Sequence, residues 1–353
     1  MKAMVYRGNR KLDLEEVPDP VAGYGEVVIK VDYCGICATD IEEYIYGPNF
    51  IDAHKPNMVT GEKMPFITGH EITGTVSEVG AETKKDLLGK RVVLDGILSC
   101  KKCSRCDAGD TSQCLLGMAA VGFACDGGLA EYMKWPSDQV IVLPDNVTSI
   151  EAALVEPASV AMHAVDKANI IRGHKVVIIG AGTVGLLSLQ LAKNIGAYVS
   201  VIDVREVSLS KAIELGADKV INASMENVTE FSRNVSAHER PDVVIDAAGG
   251  RDTVDTAIDL VRNGGRVVLV AIYSANNIVD FNKLVGTEKE VVGSLAYVRR
   301  DVERVVNLLT EGKLHTKPLV SEVISLDEVK SKGFERMMSP DKDIFRILVK
   351  PSR

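Results

Sequence analysis

KVVIIGAGTVG, residues 175–185, is the stretch of sequence that decides the fold. Its first five residues are nearly all apolar and β-branched, which predicts a strand buried on both faces. The glycines that follow lead into an apolar helix at 185–195, and the next strand is predicted at 199–202. Further strands at 243–245 and 266–270 alternate with helical segments. This alternation predicts an α/β fold built on a doubly wound parallel sheet.

The turn after the first of these strands has the form G-x-G-x-x-G, in which Gly180, Gly182 and Gly185 enclose Thr183 and Val184. Between a strand and a helix this motif indicates a dinucleotide site. Gly180 would make the tight turn, Gly182 would let the backbone approach a pyrophosphate, and Gly185 would let the helix pack on the strand. The helix N-terminus would attract the phosphates. A purely structural glycine turn is the alternative.

An acidic residue, Asp203, lies at the end of the second predicted strand. This is the position expected for the acid that hydrogen-bonds the adenosine ribose. A carboxylate there repels a 2′-phosphate, so the sequence favours NAD over NADP. Arg205, two residues later, would soften that preference if it faced the nucleotide.

Four of the seven cysteines fall within fifteen residues, with the spacing C-x2-C-x2-C-x7-C: Cys100, Cys103, Cys106 and Cys114. The N-terminus lacks the apolar core of a signal peptide, so we expect the cytoplasm, where thiols stay reduced. In that compartment four thiolates predict a closed, structural zinc site. An iron–sulfur cluster is the alternative, but the Cys-Pro ending and a second cysteine group are missing.

Length and composition bound the remaining possibilities. A chain of 353 residues is long enough for two domains, each with its own core. A net charge of −8 and the lack of a long basic run argue against nucleic-acid binding. No apolar run reaches the roughly 18 residues that a membrane span needs. Residues 1–150 are rich in short β-branched runs between glycines, which predicts a barrel-like or irregular sheet.

A second metal site is predicted in this β-rich part, away from the cysteine loop. Cys37, His70 and Glu71 offer a thiolate, an imidazole and a carboxylate, the donors of a zinc site that keeps one position open. Glu156 is a fourth candidate. From the residues alone, a structural role for Gly-His-Glu and ligation by Cys34 or Cys125 both remain open.

The order of these motifs resembles that of the zinc-dependent medium-chain alcohol dehydrogenases, over essentially the whole chain. The residues that carry the resemblance are GICATD at 35–40, GHE at 69–71, the four-cysteine loop and the glycine turn. The sequences YGPNF at 46–50 and ALVEPA at 153–158 are most similar to the butanediol and sorbitol dehydrogenase branch, the butanediol enzymes in particular. The resemblance implies a GroES-like catalytic domain at 1–153 and 290–353, interrupted by a Rossmann domain at 154–289.

The resemblance also implies roles for individual residues. Cys37, His70 and Glu156 would hold the catalytic zinc, with Glu71 close to the metal and able to exchange with its water. Thr39 would hydrogen-bond the substrate oxygen and begin proton transfer. Glu42 stands where many relatives carry the histidine that ends the proton relay, and it either accepts that proton or is a surface acid. Cys34 would be a small buried hydrophobe.

The sequence therefore predicts two zinc ions per chain and hydride transfer between a zinc-bound secondary alcohol and NAD. A vicinal diol such as 2,3-butanediol, with acetoin or diacetyl in reverse, is the expected substrate. Sorbitol or another polyol, threonine and an aldose are alternatives within the family, and a non-catalytic NAD-binding zinc protein is an alternative outside it. By analogy we expect a homodimer or homotetramer, with residues 266–272 as an edge strand available for pairing.

Overall fold

The computed structural model describes residues 1–52, 54–225, 228, 240–273, 276–339 and 343–352. In chain order its strands are β1 Lys2–Tyr6, β2 Leu12–Glu16, β3 Glu26–Ile36, β4 Phe66–Ile67, β5 Glu71–Val79, β6 Arg91–Leu94, β7 Ile97–Leu98, β8 Ala119–Ala120, β9 Tyr132–Pro136, β10 Val140–Val142, β11 Lys175–Ile179, β12 Tyr198–Asp203, β13 Lys219–Asn222, β14 Val243–Asp246, β15 Arg266–Leu269, β16 Glu290–Gly293, β17 Val320–Ser325 and β18 Arg346–Lys350.

The helices of the described residues are α1 Ala38–Tyr46, α2 Ser104–Asp107, α3 Ser149–Ala152, α4 Val155–Lys167, α5 Thr183–Ile195, α6 Glu206–Glu214, α7 Thr253–Leu260, α8 Phe281–Val285, α9 Arg299–Thr310 and α10 Glu335–Met338. Short 3-10 turns occupy Lys85–Leu87, Thr111–Gln113, Ser137–Gln139, Lys317–Leu319 and Leu326–Glu328, and Val329–Phe334 is π-helical. None of the described helices has the length and apolar composition needed to cross a membrane.

The chain divides into two compact units. The first comprises 1–156, 298–311 and 316–353, and the second 157–297 and 312–315. The first unit thus resumes at 298 rather than at the expected 290. The reason is β16, a short strand that sequence analysis did not predict, because it pairs in register with β15 and so extends the sheet of the second unit.

The second unit is built on a six-stranded parallel sheet of order β13-β12-β11-β14-β15-β16. This is the doubly wound order in which the chain reverses direction across the sheet between β11 and β14. The predicted α/β fold is confirmed, and β11, at 175–179, lies at the centre of this sheet and is buried from its second residue onward. The prediction that residues 266–272 form an edge was wrong, since β15 lies between β14 and β16. Its apolar run reflects burial inside the sheet.

The first unit is built on a seven-stranded sheet of order β10-β6-β5-β3-β18-β17, with β9 also paired to β3. The long strand β3 is central because it pairs antiparallel with β5, β9 and β18. Its inward side chains and those of its neighbours form the main apolar core of this unit. One end of β3 leads directly into α1, and the register there sets Gly35 opposite Glu71 and Ile36 opposite Ile347. Three distant parts of the sequence therefore meet at this end of β3.

Candidate active site

The junction of β3 and α1 carries Cys37, which is the N-cap residue of the helix. Asp40, in the first turn, accepts a hydrogen bond from the Cys37 N–H through Oδ2 at 2.8 Å and one from Thr68 Oγ1 through Oδ1 at 3.3 Å. The same Oδ1 lies 3.3 Å from His70 Nδ1. Asp40 is buried and thus fixes the orientation of both the thiol-bearing turn and the imidazole.

Two glycines make room for the side chains of this site. Gly69 has φ +96°, and a Cβ there would crowd Cys34 Sγ and Leu129 Cγ, each at 2.7 Å. A Cβ at Gly35 would overlap the Glu71 carboxylate. The spacing G-H-E therefore reflects a backbone that only glycine tolerates immediately before His70.

Cys37, His70 and Glu71 place their donor atoms within 4.8 Å of one another. Glu71 Oε1 lies beside Arg346 and His70 Nδ1 beside Asp40, whereas Glu71 Oε2 is buried with no hydrogen-bond partner among the described residues. Buried polar groups are rarely left in this condition unless they bind something else. Cys34 lies outside this cluster, its thiol buried 3.7 Å from the Gly35 carbonyl, and Cys125 is buried too.

The electrostatics of the cluster favour a cation. Burial lowers the pKa of His70, but the Asp40 carboxylate and Cys37 outweigh it, so the pKa lies well above its ordinary value. Burial raises the pKa of Glu71, and it raises that of Glu156 to about 7, while His70 lowers both. Glu156 therefore lies close enough to His70 for the two charges to interact. The cluster of donor atoms within 4.8 Å of one another contains Glu71 but not Glu156. The donor set and the surplus of buried acids fit Zn²⁺.

Arg346, on β18, is a site residue that the sequence analysis missed. Its guanidinium is buried, donates to the Ile36 carbonyl at 2.7 Å and lies 3.0 Å from Glu71 Oε1. A buried arginine in a C-terminal strand is uncommon and could have been noticed, but the sequence does not say which acid it meets. Arg346 lowers the pKa of Glu71 against the effect of burial and so opposes its protonation.

The two predicted relay residues lie on α1. Thr39 Oγ1 is 3.7 Å from Cys37 Sγ, so its hydroxyl borders the cluster. Glu42 is half-buried, and burial raises its pKa. Glu42 therefore binds a proton at a higher pH than a fully exposed glutamate does.

The four-cysteine loop closes on itself as its spacing predicts. Cys103 and Cys106 Sγ atoms are 3.5 Å apart, Cys100 and Cys106 Sγ are 3.9 Å apart, and all four sulfurs lie within 4.8 Å of one another. Tetrahedral zinc with Zn–S bonds of about 2.3 Å would separate its sulfurs by roughly 3.8 Å. The Leu115 N–H lowers the pKa of Cys103 to about 6, which favours the thiolate. The loop therefore fits a closed zinc site.

In the second unit, the glycine turn has the geometry that its motif requires. Gly180 has φ +95°, and a Cβ at Gly185 would overlap the Gly180 carbonyl. A Cβ at Gly182 would meet nothing within 4 Å, so the space before the α5 N-terminus is open. Asp203 ends β12 and accepts from the Ala181 N–H at 2.7 Å and from the Arg205 N–H at 2.8 Å.

A buried acid in this unit, Asp246 at the end of β14, was not recognised in the sequence. It accepts hydrogen bonds from the Ala248 N–H at 3.0 Å, Thr253 Oγ1 at 2.5 Å and the Tyr273 hydroxyl at 2.7 Å. These bonds fix the loop after β14, beside the point where the strand order reverses. Ligands of doubly wound sheets bind at that point.

Comparison with known proteins agrees with this geometry. Residues 23–145 match the alcohol dehydrogenase GroES-like domain, and residues 183–311 match the zinc-binding dehydrogenase family. The (R,R)-butanediol dehydrogenase of Bacillus subtilis is 32% identical over 359 residues, covering 100% of both chains. The chain belongs to the zinc-binding alcohol dehydrogenase family. It is a zinc-dependent dehydrogenase, as the sequence predicted.

Other members of this zinc-binding alcohol dehydrogenase family are equally similar. The sorbitol dehydrogenase of Bacillus subtilis is 30% identical over 355 residues, covering 100% of this chain and 98% of its own. The crystal structure of 2R,3R-butanediol dehydrogenase from Bacillus subtilis superposes with a TM-score of 0.91 at 30% identity, covering 99% of each chain.

Two solved relatives contain nicotinamide cofactors. A putative zinc-binding dehydrogenase from Sinorhizobium meliloti, 28% identical with a TM-score of 0.88 and 99% coverage of each chain, binds NADP. A short chain alcohol dehydrogenase from Escherichia coli CFT073, 26% identical with a TM-score of 0.90 and the same coverage, is complexed with NADH. The family therefore combines zinc with a nicotinamide dinucleotide.

Proposed function

We propose that this chain oxidises secondary alcohols with NAD, and that its preferred substrates are vicinal diols of the 2,3-butanediol kind. The observation that carries the proposal is the cluster of Cys37, His70 and buried Glu71, whose donors fit a zinc ion with an open position. The similarity of the YGPNF loop to butanediol dehydrogenases favours the diol, and relatives of that name support it.

The chain's own residues would hold and orient the cofactors. Cys37 and His70 would bind the catalytic zinc together with Glu156, and Glu71 would exchange at the metal. Bound zinc supplies a Lewis acid that lowers the pKa of the substrate hydroxyl. Asp40 holds the imidazole of His70 in its ligating orientation through the 3.3 Å contact to Nδ1.

The remaining roles in the proposal concern proton transfer and nucleotide binding. Thr39 would hydrogen-bond the substrate oxygen and pass its proton outward, and Glu42, with its raised pKa, would receive it. The glycine turn, including Thr183 and Val184 at the start of α5, would bind the pyrophosphate. Asp203 would accept from the adenosine ribose and disfavour a 2′-phosphate, with Arg205 softening that preference. Bound at this turn, NAD would supply the acceptor for the hydride.

The chain is further proposed to act as a homodimer or homotetramer in the cytoplasm. One edge of the parallel sheet is β16, which carries half-exposed or exposed positions. Two apolar side chains of α8, Phe281 and Val285, are also exposed. The free thiols suit a reducing compartment. Light scattering on the purified protein measures the oligomeric state, and a monomer at micromolar concentration contradicts this part.

Two measurements test the function. Metal analysis is expected to give two zinc ions per chain, and NAD reduction is expected to be fastest with a stereoisomer of 2,3-butanediol. The screen includes sorbitol, threonine, glucose and simple secondary alcohols, because relatives named sorbitol dehydrogenase are as similar as the butanediol enzymes. One zinc per chain and no turnover of any alcohol would instead support the non-catalytic alternative.

A further inference from the structure

A polar cavity of about 470 Å³ lies on the first unit, where β3, the start of α3 and the end of β18 come together. Lys30, Asp32 and Tyr33 of β3 line it, together with Ser149 and Lys350. None of these residues belongs to the two metal clusters or to the glycine turn. The volume equals that of roughly fifteen water molecules at about 30 Å³ each, which is enough for a small organic molecule.

A bulge in β3 brings neighbouring polar side chains to this cavity. Val31 and Tyr33 lie opposite consecutive residues of β5, so Asp32 between them is the extra residue of the bulge. In a regular strand, adjacent side chains point to opposite faces of the sheet. The bulge interrupts that alternation, and Asp32 and Tyr33 therefore line the same space.

Two lysines supply positive charge to the cavity. Lys30 and Lys350 are exposed, and neither forms an ion pair in the described part of the chain. The half-buried Tyr33 hydroxyl likewise donates to no described residue. Because Val349 pairs with Cys34, Lys350 follows directly opposite Tyr33. Three donor groups without a protein acceptor thus line one cavity, on a chain whose net charge is −8.

One carboxylate lies on the same wall and is already oriented. Asp32 Oδ2 accepts a hydrogen bond from Ser149 Oγ at 2.9 Å and another from Thr75 Oγ1 at 3.5 Å. Among the described residues, none donates to Asp32 Oδ1. Asp32 therefore keeps one oxygen for a donor on a bound molecule, while the two lysines keep their charge for an anionic group.

We propose that this cavity is a second small-molecule site, which binds a phosphomonoester that also carries a hydroxyl group. A phosphate ester has close to two negative charges at pH 7 and three acceptor oxygens, which match two ammonium groups and a phenol. The hydroxyl group of the same molecule donates to Asp32 Oδ1. With two positive charges and one negative charge in its lining, the cavity favours an anion. This binding is separate from alcohol oxidation and does not depend on which alcohol is oxidised.

Isothermal titration calorimetry with 3-hydroxypropyl phosphate tests the site in the zinc-loaded protein. NADH is present at saturation, because the glycine turn would otherwise bind phosphate. The probe is a primary alcohol, because secondary alcohols are expected at the zinc. We expect one molecule to bind per chain. Propyl phosphate, which lacks the hydroxyl group, should bind about tenfold more weakly, and propane-1,3-diol, which lacks the phosphate, should not bind.

Lysine substitutions test where the probe binds. Lys30→Ala combined with Lys350→Ala removes both ammonium groups, so the Kd for 3-hydroxypropyl phosphate should rise about tenfold or more. Lys90→Ala, which removes an exposed lysine of the same unit outside the cavity, is the matched control and should change the Kd by less than about twofold. Far-UV circular dichroism checks that each variant is folded.

Asp32→Asn separates the two parts of the probe. The amide still accepts from Ser149, but it has no charge with which to hold the hydroxyl group of the probe or to repel its phosphate. We expect propyl phosphate to bind as well as before or better, while the advantage of 3-hydroxypropyl phosphate falls below about threefold. A merely structural role of Asp32 would weaken the binding of both compounds in the same proportion.

Three results overturn the site. The first is no binding of 3-hydroxypropyl phosphate at about 10 mM. The second is a Kd that the double lysine variant leaves unchanged, and the third is a Kd that Lys90→Ala raises by as much. Inorganic phosphate identifies the source of the phosphate group: if it competes with 3-hydroxypropyl phosphate and binds as tightly, the cavity takes free phosphate and the ester is overturned.

Discussion

Replacing Arg346 with methionine is the most informative perturbation of this fold, because it removes charge but little volume. Arg346 is 4% exposed and Glu71 is fully buried, with 3.0 Å between Nη1 and Oε1. Leaving one partner of a buried ion pair without the other costs about 3–5 kcal/mol. We therefore expect Arg346→Met to lower the free energy of unfolding of the first unit by that amount.

The loss should depend on pH with a definite sign. Burial already raises the pKa of Glu71 and Arg346 lowers it, so removing the arginine raises it further. The folded state then holds the proton more tightly than the unfolded state, and stability falls as pH rises through the pKa of the folded state. We expect Arg346→Met to be less destabilised at about pH 5.5 than at about pH 8.

The assay uses Trp135, the single tryptophan, which is buried on β9 and hydrogen-bonds the Asp95 carbonyl at 3.2 Å. Its fluorescence during urea unfolding reports the first unit. Arg336→Met, which breaks a half-exposed pair with Glu322, is the control and should cost under about 1 kcal/mol. Adding Glu71→Gln to Arg346→Met should recover most of the loss. The reasoning is refuted if Arg346→Met alone lowers the free energy of unfolding by less than about 1 kcal/mol, or if adding Glu71→Gln restores none of the lost stability.

Three further predictions concern the proposed cofactor and relay residues. Cys103→Ser should reduce bound zinc from two ions per chain to one and lower the melting temperature; metal analysis that still finds two contradicts a zinc site in the loop. Asp203→Ser should raise KM for NAD about tenfold and lower that for NADP, since a charged acceptor is lost; unchanged cofactor preference removes Asp203 from ribose recognition. Glu42→Gln should slow alcohol oxidation and alter its pH profile, because a raised pKa suits a proton acceptor; identical kinetics between about pH 6 and 9 exclude Glu42 from the relay.

The features that were predicted well from the sequence are those formed by residues close together in the chain. The glycine turn at 180–185 is one, since its strand, turn and helix lie within a few residues. The four-cysteine loop is another, because fifteen residues contain all four thiols. In both cases the spacing alone determines which backbone and side-chain atoms can meet.

The cluster around Cys37 could not be predicted in the same way, because strand register brings it together. His70 and Glu71 join Cys37 only when Gly35 pairs with Glu71, and Arg346 joins only when Ile347 pairs with Ile36. A shift by one residue would point each side chain to the opposite face. Periodicity predicts that a strand exists but does not say which strand is its neighbour or in what register.

Adjacent acids on α1 show a further limit. Glu42 was predicted to be functional and Glu43 was not, yet Glu43 is the buried one and accepts a hydrogen bond from the Phe50 N–H. Neighbouring residues on a helix point about 100° apart, so only the packing around the helix decides which is buried. Similarly, β16 was missed because it has only four residues, and its two adjacent valines show no alternating pattern.

The place of Arg346 in the chain sets an order of events during synthesis. At about 5–20 residues per second, the ribosome adds Arg346 roughly ten to fifty seconds after Cys114. The four-cysteine loop could close on zinc during that interval, because its four thiols lie within fifteen residues. Over the same interval the Glu71 carboxylate has no guanidinium beside it, and β3 has no β18 to pair with. The residues of the four-cysteine site are thus complete well before Glu71 gains its ion pair with Arg346.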